Sequence, residues 1–199
     1  MASPDGPALL FDVLGTLVHD PFFDEVPRAL GMELEELLRL KHPTSWVEFE
    51  LGDLTEDELL ARFFADGRRF DHAALARSFT ENFRFLDGVE PLLQELGARG
   101  ARPHLLSNYP VWFERIEERL RLSRYADWSF VSCRTRLRKP DPEAYLHAAR
   151  SLGRSPGECL LVDDVARNVA AAARLGMPAF RFTGAAPLRR ELARRGVLR

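Results

Sequence analysis

Lysine is nearly absent from this sequence. Its 199 residues include 28 basic side chains, of which only Lys41 and Lys139 are lysine and the rest are arginine. The 30 acidic residues give a net charge of −2, which leaves no basic excess for a nucleic-acid backbone. We therefore predict no nucleic-acid partner, and we regard a retained lysine as a position that needs a compact charge rather than a planar guanidinium.

Cysteine and long apolar segments are also scarce. Cys133 and Cys159 lack CxxC spacing and form no zinc pattern with the five histidines, so we interpret both as core thiols in a reducing compartment. The chain shows no leader-like start, and no uninterrupted apolar stretch reaches about 18 residues. These features predict a cytoplasmic protein without a signal peptide or membrane span, which we expect to be a monomer or a weak dimer.

Short apolar runs alternate with helical patterns over most of the chain. The apolar runs predict strands at residues 8–11, 104–106, 128–131, 159–162 and 179–182. The helical patterns lie at residues 89–99, 112–120, 142–152 and 168–175. This alternation predicts an α/β fold, a Rossmann-like parallel sheet with helices on both faces.

Residues 18–86 break the alternation and read as helical throughout. Helical patterns without a convincing strand between them occur at residues 27–40, 55–66 and 71–85. Thr55 with Glu58 matches a capping box, and Asp71 is a candidate cap for the next helix. We predict a small helical cap at residues 18–86, inserted after the first strand of a core formed by residues 1–17 and 87–199. An extra packing layer without a functional role is the alternative.

Polar residues follow the predicted strands where each strand ends. They are Asp12, Ser107 with Asn108, Lys139 one short loop further on, and Asp163 with Asp164. Ligands of an open parallel sheet bind at the carboxyl ends of its strands, so we expect these side chains to converge. The acids offer the hard oxygen ligands that magnesium requires, although one of the adjacent pair could instead cap a helix. The hydroxyl, amide and ammonium groups suit phosphate oxygens, although helix-start residues and a solvated lysine would look the same.

Four ordered motifs carry a resemblance to a known family. They are Phe11-Asp12-Val13-Leu14-Gly15-Thr16-Leu17, Leu106-Ser107-Asn108, Arg138-Lys139-Pro140-Asp141-Pro142, and Val162-Asp163-Asp164 with Asn168. Together they resemble the motifs of the haloacid dehalogenase (HAD) superfamily over essentially the whole chain. That superfamily commonly carries a helical cap directly after its first motif, which is where the insertion begins.

The resemblance implies a magnesium-dependent phosphatase that forms an aspartyl-phosphate intermediate. Asp12 would be the nucleophile, and Ser107 and Lys139 would bind the transferring phosphoryl group. The resemblance also implies that Mg²⁺ is held by the Asp12 carboxylate, the Leu14 carbonyl and one or both of Asp163 and Asp164.

Leu14 departs from the pattern of the superfamily's phosphatases. They usually carry at this position an aspartate that acts as general acid and base, a contribution of about 10² to 10⁴ in rate. A slow enzyme, a substitute acid or a catalytically silent binding protein would each explain the leucine. His19 and Asp20 are candidate substitutes, although both positions are more simply explained by the chain entering the insertion. A metal-independent 2-haloacid dehalogenase also lacks the aspartate, but it has no use for two adjacent acids at the fourth motif.

The insertion carries the features that bear on the substrate. Segments such as Asp20-Pro21-Phe22 and Lys41-His42-Pro43 resemble the cap of the FMN hydrolases of plant chloroplasts, a branch of the superfamily that also has an apolar residue at the position of Leu14. The resemblance implies that a small phosphate ester, FMN, is hydrolysed to riboflavin. We expect Lys41, His42, Asn108 and Trp46 to contact substrate, with Phe22, Phe23 and Phe49 as further apolar surface for a flavin. Helix-core packing of the aromatic residues and a solvated Lys41 at a helix end are the alternatives.

Overall fold

The computed structural model describes residues 6–198, and the predicted boundaries that fall on residues 1–5 and 199 lie outside it. A sheet of five parallel strands forms the centre, in the order β3-β2-β1-β4-β5. The strands are β1 (Ala8–Phe11), β2 (His104–Ser107), β3 (Asp127–Val131), β4 (Cys159–Asp163) and β5 (Ala179–Arg181). The predicted strands and the parallel α/β fold are therefore confirmed.

Eleven α-helices accompany the sheet within residues 6–198. They are α1 (Glu25–Ala29), α2 (Leu34–Leu40), α3 (Ser45–Glu50), α4 (Glu56–Ala61), α5 (His72–Thr80), α6 (Val89–Ala98), α7 (Phe113–Leu120), α8 (Ser132–Thr135), α9 (Pro142–Ser151), α10 (Ala166–Arg174) and α11 (Ala185–Arg194). The four helices predicted after residue 86 are confirmed as α6, α7, α9 and α10. The helices α8 and α11 were not predicted from the sequence.

The two faces of the sheet bury different helices. Leu9 and Phe11 of β1 pack in the larger apolar cluster with residues of α6, α7 and α11, whereas Leu10 faces α9 and α10. This alternation follows from the two-residue period of a strand, and it explains why the strands are apolar on both sides. Cys159 is fully buried as predicted, whereas Cys133 of α8 is only half-buried and packs against the larger apolar cluster.

The segment between β1 and α6 contains α1 to α5 and a short 3₁₀ turn at Pro21–Phe23. The single helix predicted at residues 27–40 is wrong, because the chain reverses at Gly31, whose φ of +66° is readily adopted by glycine, and continues as α2. The capping box of α4 is confirmed: the Glu58 amide donates to Thr55 Oγ1 (3.3 Å) and the Thr55 amide donates to Glu58 Oε2 (2.7 Å). Asp71 caps α5 as predicted.

Arginine–carboxylate pairs join this helical segment to the sheet layer. Glu50 of α3 accepts a hydrogen bond from Arg138 Nε (2.5 Å), and Glu56 of α4 accepts one from Arg115 of α7 (2.8 Å). Arg136 also pairs with Asp53. Of the helices in residues 6–198, none is both long and apolar enough to cross a membrane.

Candidate active site

The strand order brings the predicted polar residues to one place. Because β1 lies between β2 and β4, Asp12 comes between Ser107 at the end of β2 and Asp163 at the end of β4. All three side chains are buried, with exposed fractions of 8%, 3% and 0%. The site thus lies where strand order reverses about β1, the usual position for ligand binding in an open parallel sheet.

Lys139 lies at the centre of these carboxylates. Its Nζ is 2.8 Å from Asp12 Oδ1 and 2.6 Å from Asp163 Oδ2, and the side chain is 1% exposed. Burial alone would lower the pKa of Lys139, but the charges of Asp12 and Asp163 and their hydrogen bonds raise it above its ordinary value. Lys139 is therefore a permanently charged ammonium held against Asp12.

Asn108 fixes the loop that delivers this lysine. Its Nδ2 donates to the Lys139 carbonyl (2.7 Å), and its Oδ1 accepts from the Lys139 amide (2.8 Å). Asn108, which we expected to contact substrate, borders the cavity, and both polar atoms of its side chain are engaged with backbone. Its amide therefore acts on the position of Lys139.

Asp163 is surrounded by donors from its own protein. Its carboxylate accepts from the Val165 amide (2.8 Å), from Asn168 Nδ2 (3.1 and 3.0 Å to the two oxygens) and from Lys139. Asp163 is absent from the cavity wall, because it lies beneath Lys139. Its contacts orient the ammonium group.

Asp164 contacts the turn that follows Asp12. Its Oδ1 accepts from Thr16 Oγ1 (3.2 Å), and burial together with the charge of Asp163 raises its pKa. Gly15 has a φ of +77°, and a Cβ there would lie 2.6 Å from Asp164 Oδ2. Only glycine accommodates both the turn and the carboxylate.

The three acids form a cluster that can hold a cation. Asp12, Asp163 and Asp164 each place one oxygen within 4.8 Å of the others. Burial is the main cause that raises the pKa of Asp12 to about 7, with Asp163 and Asp164 adding to it against the opposing charge of Lys139. A divalent cation would relieve this repulsion by stabilising the ionised carboxylates. The donor set of carboxylate oxygens fits a hard cation of the magnesium type.

A cavity of about 570 Å³ opens above these residues, between the strand ends and the helical segment. Its wall includes the sequence-predicted residues Asp12, Leu14, Lys41, His42, Trp46, Ser107, Asn108, Lys139 and Asp164. Phe22 and Phe23 also line it, as expected, but Phe49 does not, because its ring is buried in the core beneath Trp46 and Trp112.

Trp46 forms the apolar side of the cavity. Its ring stacks on Phe79 at 5.8 Å between centroids, and its indole NH donates to Glu50 Oε1 (2.8 Å). Glu50 in turn binds Arg138, the residue that precedes Lys139. Trp46 therefore belongs both to the core and to the cavity wall. The pairing of Glu50 with Arg138 was not predicted, because it joins residues that are 88 positions apart.

Lys41 and His42 lie at the end of α2, on the rim of the cavity. The Ser45 amide donates to His42 Nδ1 (3.1 Å), so the imidazole caps the start of α3. Within residues 6–198, no carboxylate forms an ion pair with Lys41. Its ammonium group is therefore available to a ligand.

The geometry defines an α/β enzyme with a cationic and acidic site at the carboxyl ends of a parallel sheet. The family model of haloacid dehalogenase-like hydrolases matches residues 7–176. The chain belongs to this family of hydrolases, which confirms the identification made from the four motifs.

Individual proteins and structures agree with the family. The chain is 44% identical to chloroplastic flavin mononucleotide hydrolase 1 of Arabidopsis thaliana, over 96% of this chain and 78% of that protein. It is 28% identical to hexitol phosphatase A of Escherichia coli K12, over 80% of this chain and 75% of that one. A HAD-family enzyme of Bacteroides thetaiotaomicron, solved with magnesium and inorganic phosphate, shares the fold with a TM-score of 0.67 and 18% identity, over 88% of this chain and 93% of that one.

Proposed function

We propose that this protein is a magnesium-dependent phosphatase that converts FMN to riboflavin and inorganic phosphate through an aspartyl-phosphate on Asp12. The observation that carries the proposal is the contact of Lys139 Nζ with Asp12 (2.8 Å) at the base of a cavity with an aromatic wall. A buried carboxylate beside a fixed ammonium suits attack on an anionic phosphoryl group, because the positive charge offsets the repulsion between the two anions.

The chain's own residues account for binding and for the nucleophilic step. An Asp12 carboxylate oxygen attacks phosphorus, the bond from phosphorus to the ester oxygen breaks, and water later cleaves the aspartyl-phosphate. Ser107, buried beside Asp12, offers a hydroxyl donor to the phosphoryl oxygens, and Lys139 offers its ammonium. Asn108 and Asp163 hold Lys139 in place for this task.

Asp12 and Asp164 are the carboxylates that we assign to Mg²⁺, with the Leu14 carbonyl as a third ligand. Asp163 is occupied by Lys139, Asn168 and the Val165 amide, whereas Asp164 has one oxygen that is not hydrogen-bonded to any residue of the described chain. When bound, the ion would neutralise charge on the phosphoryl oxygens.

A flavin suits the upper part of the cavity. Its volume of about 570 Å³ lies within the range of about 300–1,000 Å³ typical of small-molecule sites. Trp46, Phe22 and Phe23 supply apolar surface for the ring system, and Lys41 supplies a cation at the rim. The 44% identity to an FMN hydrolase of Arabidopsis thaliana supports this choice of substrate.

Phosphate release tests the proposal. The purified protein with FMN and Mg²⁺ should release inorganic phosphate and riboflavin, and chelation by EDTA should abolish the release. Asp12→Asn should reduce kcat by at least about 10³ because it removes the nucleophile. Undiminished turnover by Asp12→Asn would exclude Asp12 as nucleophile.

Two further assays separate the alternatives. No release from a panel of phosphate esters would favour a binding protein without turnover. Chloride release from 2-chloropropionate without metal would favour a dehalogenase. A metal-independent dehalogenase does not need the cluster of Asp12, Asp163 and Asp164.

A further inference from the structure

A phosphomonoester with an alkoxide leaving group needs a proton donor, and Leu14, whose side chain borders the cavity, cannot supply one. The candidate donors around the cavity are few. Glu50 is held by Arg138 and Trp46, and His19 Nε2 binds both oxygens of Glu25 (3.0 and 2.9 Å). His42 Nδ1 already accepts backbone hydrogen bonds. Asp164 is assigned to Mg²⁺, and Asp24 is exposed and makes no capping hydrogen bond that would orient its side chain. In the described part of this wall, Asp20 is therefore the remaining carboxyl group that is oriented by a hydrogen bond and keeps an open oxygen.

We propose that Asp20 is the general acid and base of this enzyme, acting on the leaving oxygen of the substrate and then on water. The assignment rests on the proposed phosphatase function. It places the proton donor eight positions beyond the nucleophile, on the opposite side of the turn that contains Leu14.

The backbone brings Asp20 back to the site. The amides of Leu17 and Val18 both donate to the Val13 carbonyl (2.7 and 2.9 Å), which closes a tight turn directly after Asp12. The His19 amide then donates to the Arg84 carbonyl (2.9 Å), so the chain is anchored where it enters the insertion. As a result, Asp20 lines the same cavity as Asp12.

One carboxyl oxygen of Asp20 accepts a hydrogen bond that orients the side chain, and the other oxygen is open to the cavity. The Phe22 amide donates to its Oδ1 (3.0 Å), which caps the 3₁₀ turn at Pro21–Phe23. Within residues 6–198, Oδ2 accepts no hydrogen bond from a protein donor. An oriented carboxyl group with one open oxygen is the geometry that proton transfer requires.

The surroundings keep this carboxyl group titratable near neutral pH. The pKa of Asp20 is raised to about 6, mainly by burial and also by the charges of Asp164 and Glu50, against the lowering effects of the Phe22 amide and His19. The phenol of Tyr109 also borders the cavity, and its hydroxyl has no hydrogen-bond partner among the described residues. Burial raises the pKa of Tyr109 well above its ordinary value, so this phenol is a much weaker acid than Asp20 near neutral pH. A donor with a pKa near the working pH is present in both the acid and the base form.

The proton balance is complete with Asp20 alone. As Asp12 attacks, the P–O bond to the ribityl oxygen breaks and that oxygen takes the Asp20 proton, giving riboflavin, the aspartyl-phosphate and an Asp20 carboxylate. In the second step Asp20 takes a proton from water, the hydroxide adds to phosphorus, and the P–O bond to Asp12 breaks. Inorganic phosphate leaves, and both residues return to their starting forms.

Leaving-group dependence tests the assignment. Nitrophenolate departs from p-nitrophenyl phosphate as a stable anion and needs no proton. The ribityl oxygen that leaves FMN would depart as an alkoxide and therefore needs one. Asp20→Asn should therefore lower kcat/KM for FMN by about 10² to 10⁴. It should change kcat/KM for p-nitrophenyl phosphate by no more than about threefold, because kcat/KM reports only the steps up to the departure of the leaving group, here nitrophenolate. Hydrolysis of the aspartyl-phosphate should become slower in this variant, because Asp20 no longer takes a proton from water. A burst of nitrophenolate should therefore precede steady turnover.

Asp57→Asn is the matched control, because Asp57 is an exposed carboxylate in the first turn of α4, in the same helical segment, and is not part of the cavity wall. It should leave both substrates unaffected. Asparagine keeps an oxygen acceptor for the Phe22 amide; if Asp20→Asn nevertheless unfolds, Asp20→Ser supplies a cap without an acid. Equal losses on both substrates, or no loss with FMN, would overturn the role of Asp20. Failure of the wild-type protein to hydrolyse FMN would instead overturn the proposed function.

Discussion

At the scale of single residues, the charges of the site are held in place by contacts that leave little freedom. Asp163 and Asp12 share the Lys139 ammonium at 2.6 and 2.8 Å, and the backbone of Lys139 is held by Asn108. An arginine at this fully enclosed position would need room for a planar fork, whereas the ammonium is a compact charge. This explains why lysine is retained here in a chain that otherwise uses arginine.

A substitution at Gly15 tests how closely the turn after Asp12 packs against the Asp164 carboxylate. Gly15→Ala would place a Cβ 2.6 Å from Asp164 Oδ2 at a φ of +77°. We expect a loss of about 1–3 kcal/mol in stability from the backbone conformation, together with a weaker apparent affinity for Mg²⁺ because Asp164 must move. Thermal unfolding and a Mg²⁺ titration of phosphatase activity measure the two effects.

Gly31→Ala is the matched control for this substitution. Gly31 has a φ of +66° with no atom within 4 Å of the added Cβ, so it carries the same backbone cost without the clash. It should lower the Tm but leave the Mg²⁺ dependence unchanged. Equal Mg²⁺ dependence in both variants would contradict the fitted contact of Gly15 with Asp164.

At the scale of secondary-structure elements, local signals decided which helices the sequence could predict. The capping box of α4 and the Asp71 cap of α5 are local patterns, and both were predicted correctly. The helix α3 was missed, because its start has no side-chain cap from Thr44 and is satisfied by His42 instead. The split between α1 and α2 depends on the backbone of one glycine, which apolar periodicity does not reveal.

The same distinction applies to the site. Residues directly after the ends of β1, β2 and β4 were predicted, because strand ends are visible as apolar runs that stop at polar residues. The roles within the pair Asp163 and Asp164 were left open, because they depend on Lys139 and Asn168 reaching Asp163 across the fold. The pairing of Glu50 with Arg138 was invisible for the same reason.

The capping box of α4 gives a prediction at this scale. Thr55→Ala removes the acceptor for the Glu58 amide and should cost about 1 kcal/mol of unfolding free energy, which corresponds to about 2–4 °C in Tm for a chain of this size. Thr55→Ser keeps the hydroxyl and should stay close to wild type. Thermal unfolding of the two variants provides the comparison, and equal Tm values would contradict the capping role.

At the scale of the whole molecule, the helical segment is attached to the sheet layer by arginines that reach its carboxylates. Arg138 binds Glu50 beside the cavity, and Arg115 binds Glu56 on the outer side. One wall of the cavity therefore comes from the helical segment and the other from the sheet layer. The acidic residues of the cavity are buried without a full set of positive charges to balance them. The stability of the folded protein should consequently depend on their protonation.

The sign of this dependence follows from the raised pKa values. Burial raises the pKa of Asp12 to about 7 and that of Asp20 to about 6, both from an ordinary 3.8. At pH values between the ordinary pKa of 3.8 and the raised pKa values, the folded state binds more protons than the unfolded state. The free energy of unfolding therefore falls as pH rises through this range. Glu191, whose pKa is lowered to about 2 by its hydrogen bond to Arg194, acts in the opposite sense, but only at more acidic pH.

We therefore predict that the metal-free protein, kept in EDTA, has a higher Tm at pH 5.5 than at pH 8. Added Mg²⁺ should raise the Tm more at pH 8 than at pH 5.5, because it binds the ionised carboxylates of Asp12 and Asp164. Asp12→Asn removes the larger of the two raised pKa values and should flatten the pH dependence of the metal-free protein. A Tm that increases steadily from pH 5.5 to pH 8 in EDTA would show that the buried acids of the site do not control stability in this range.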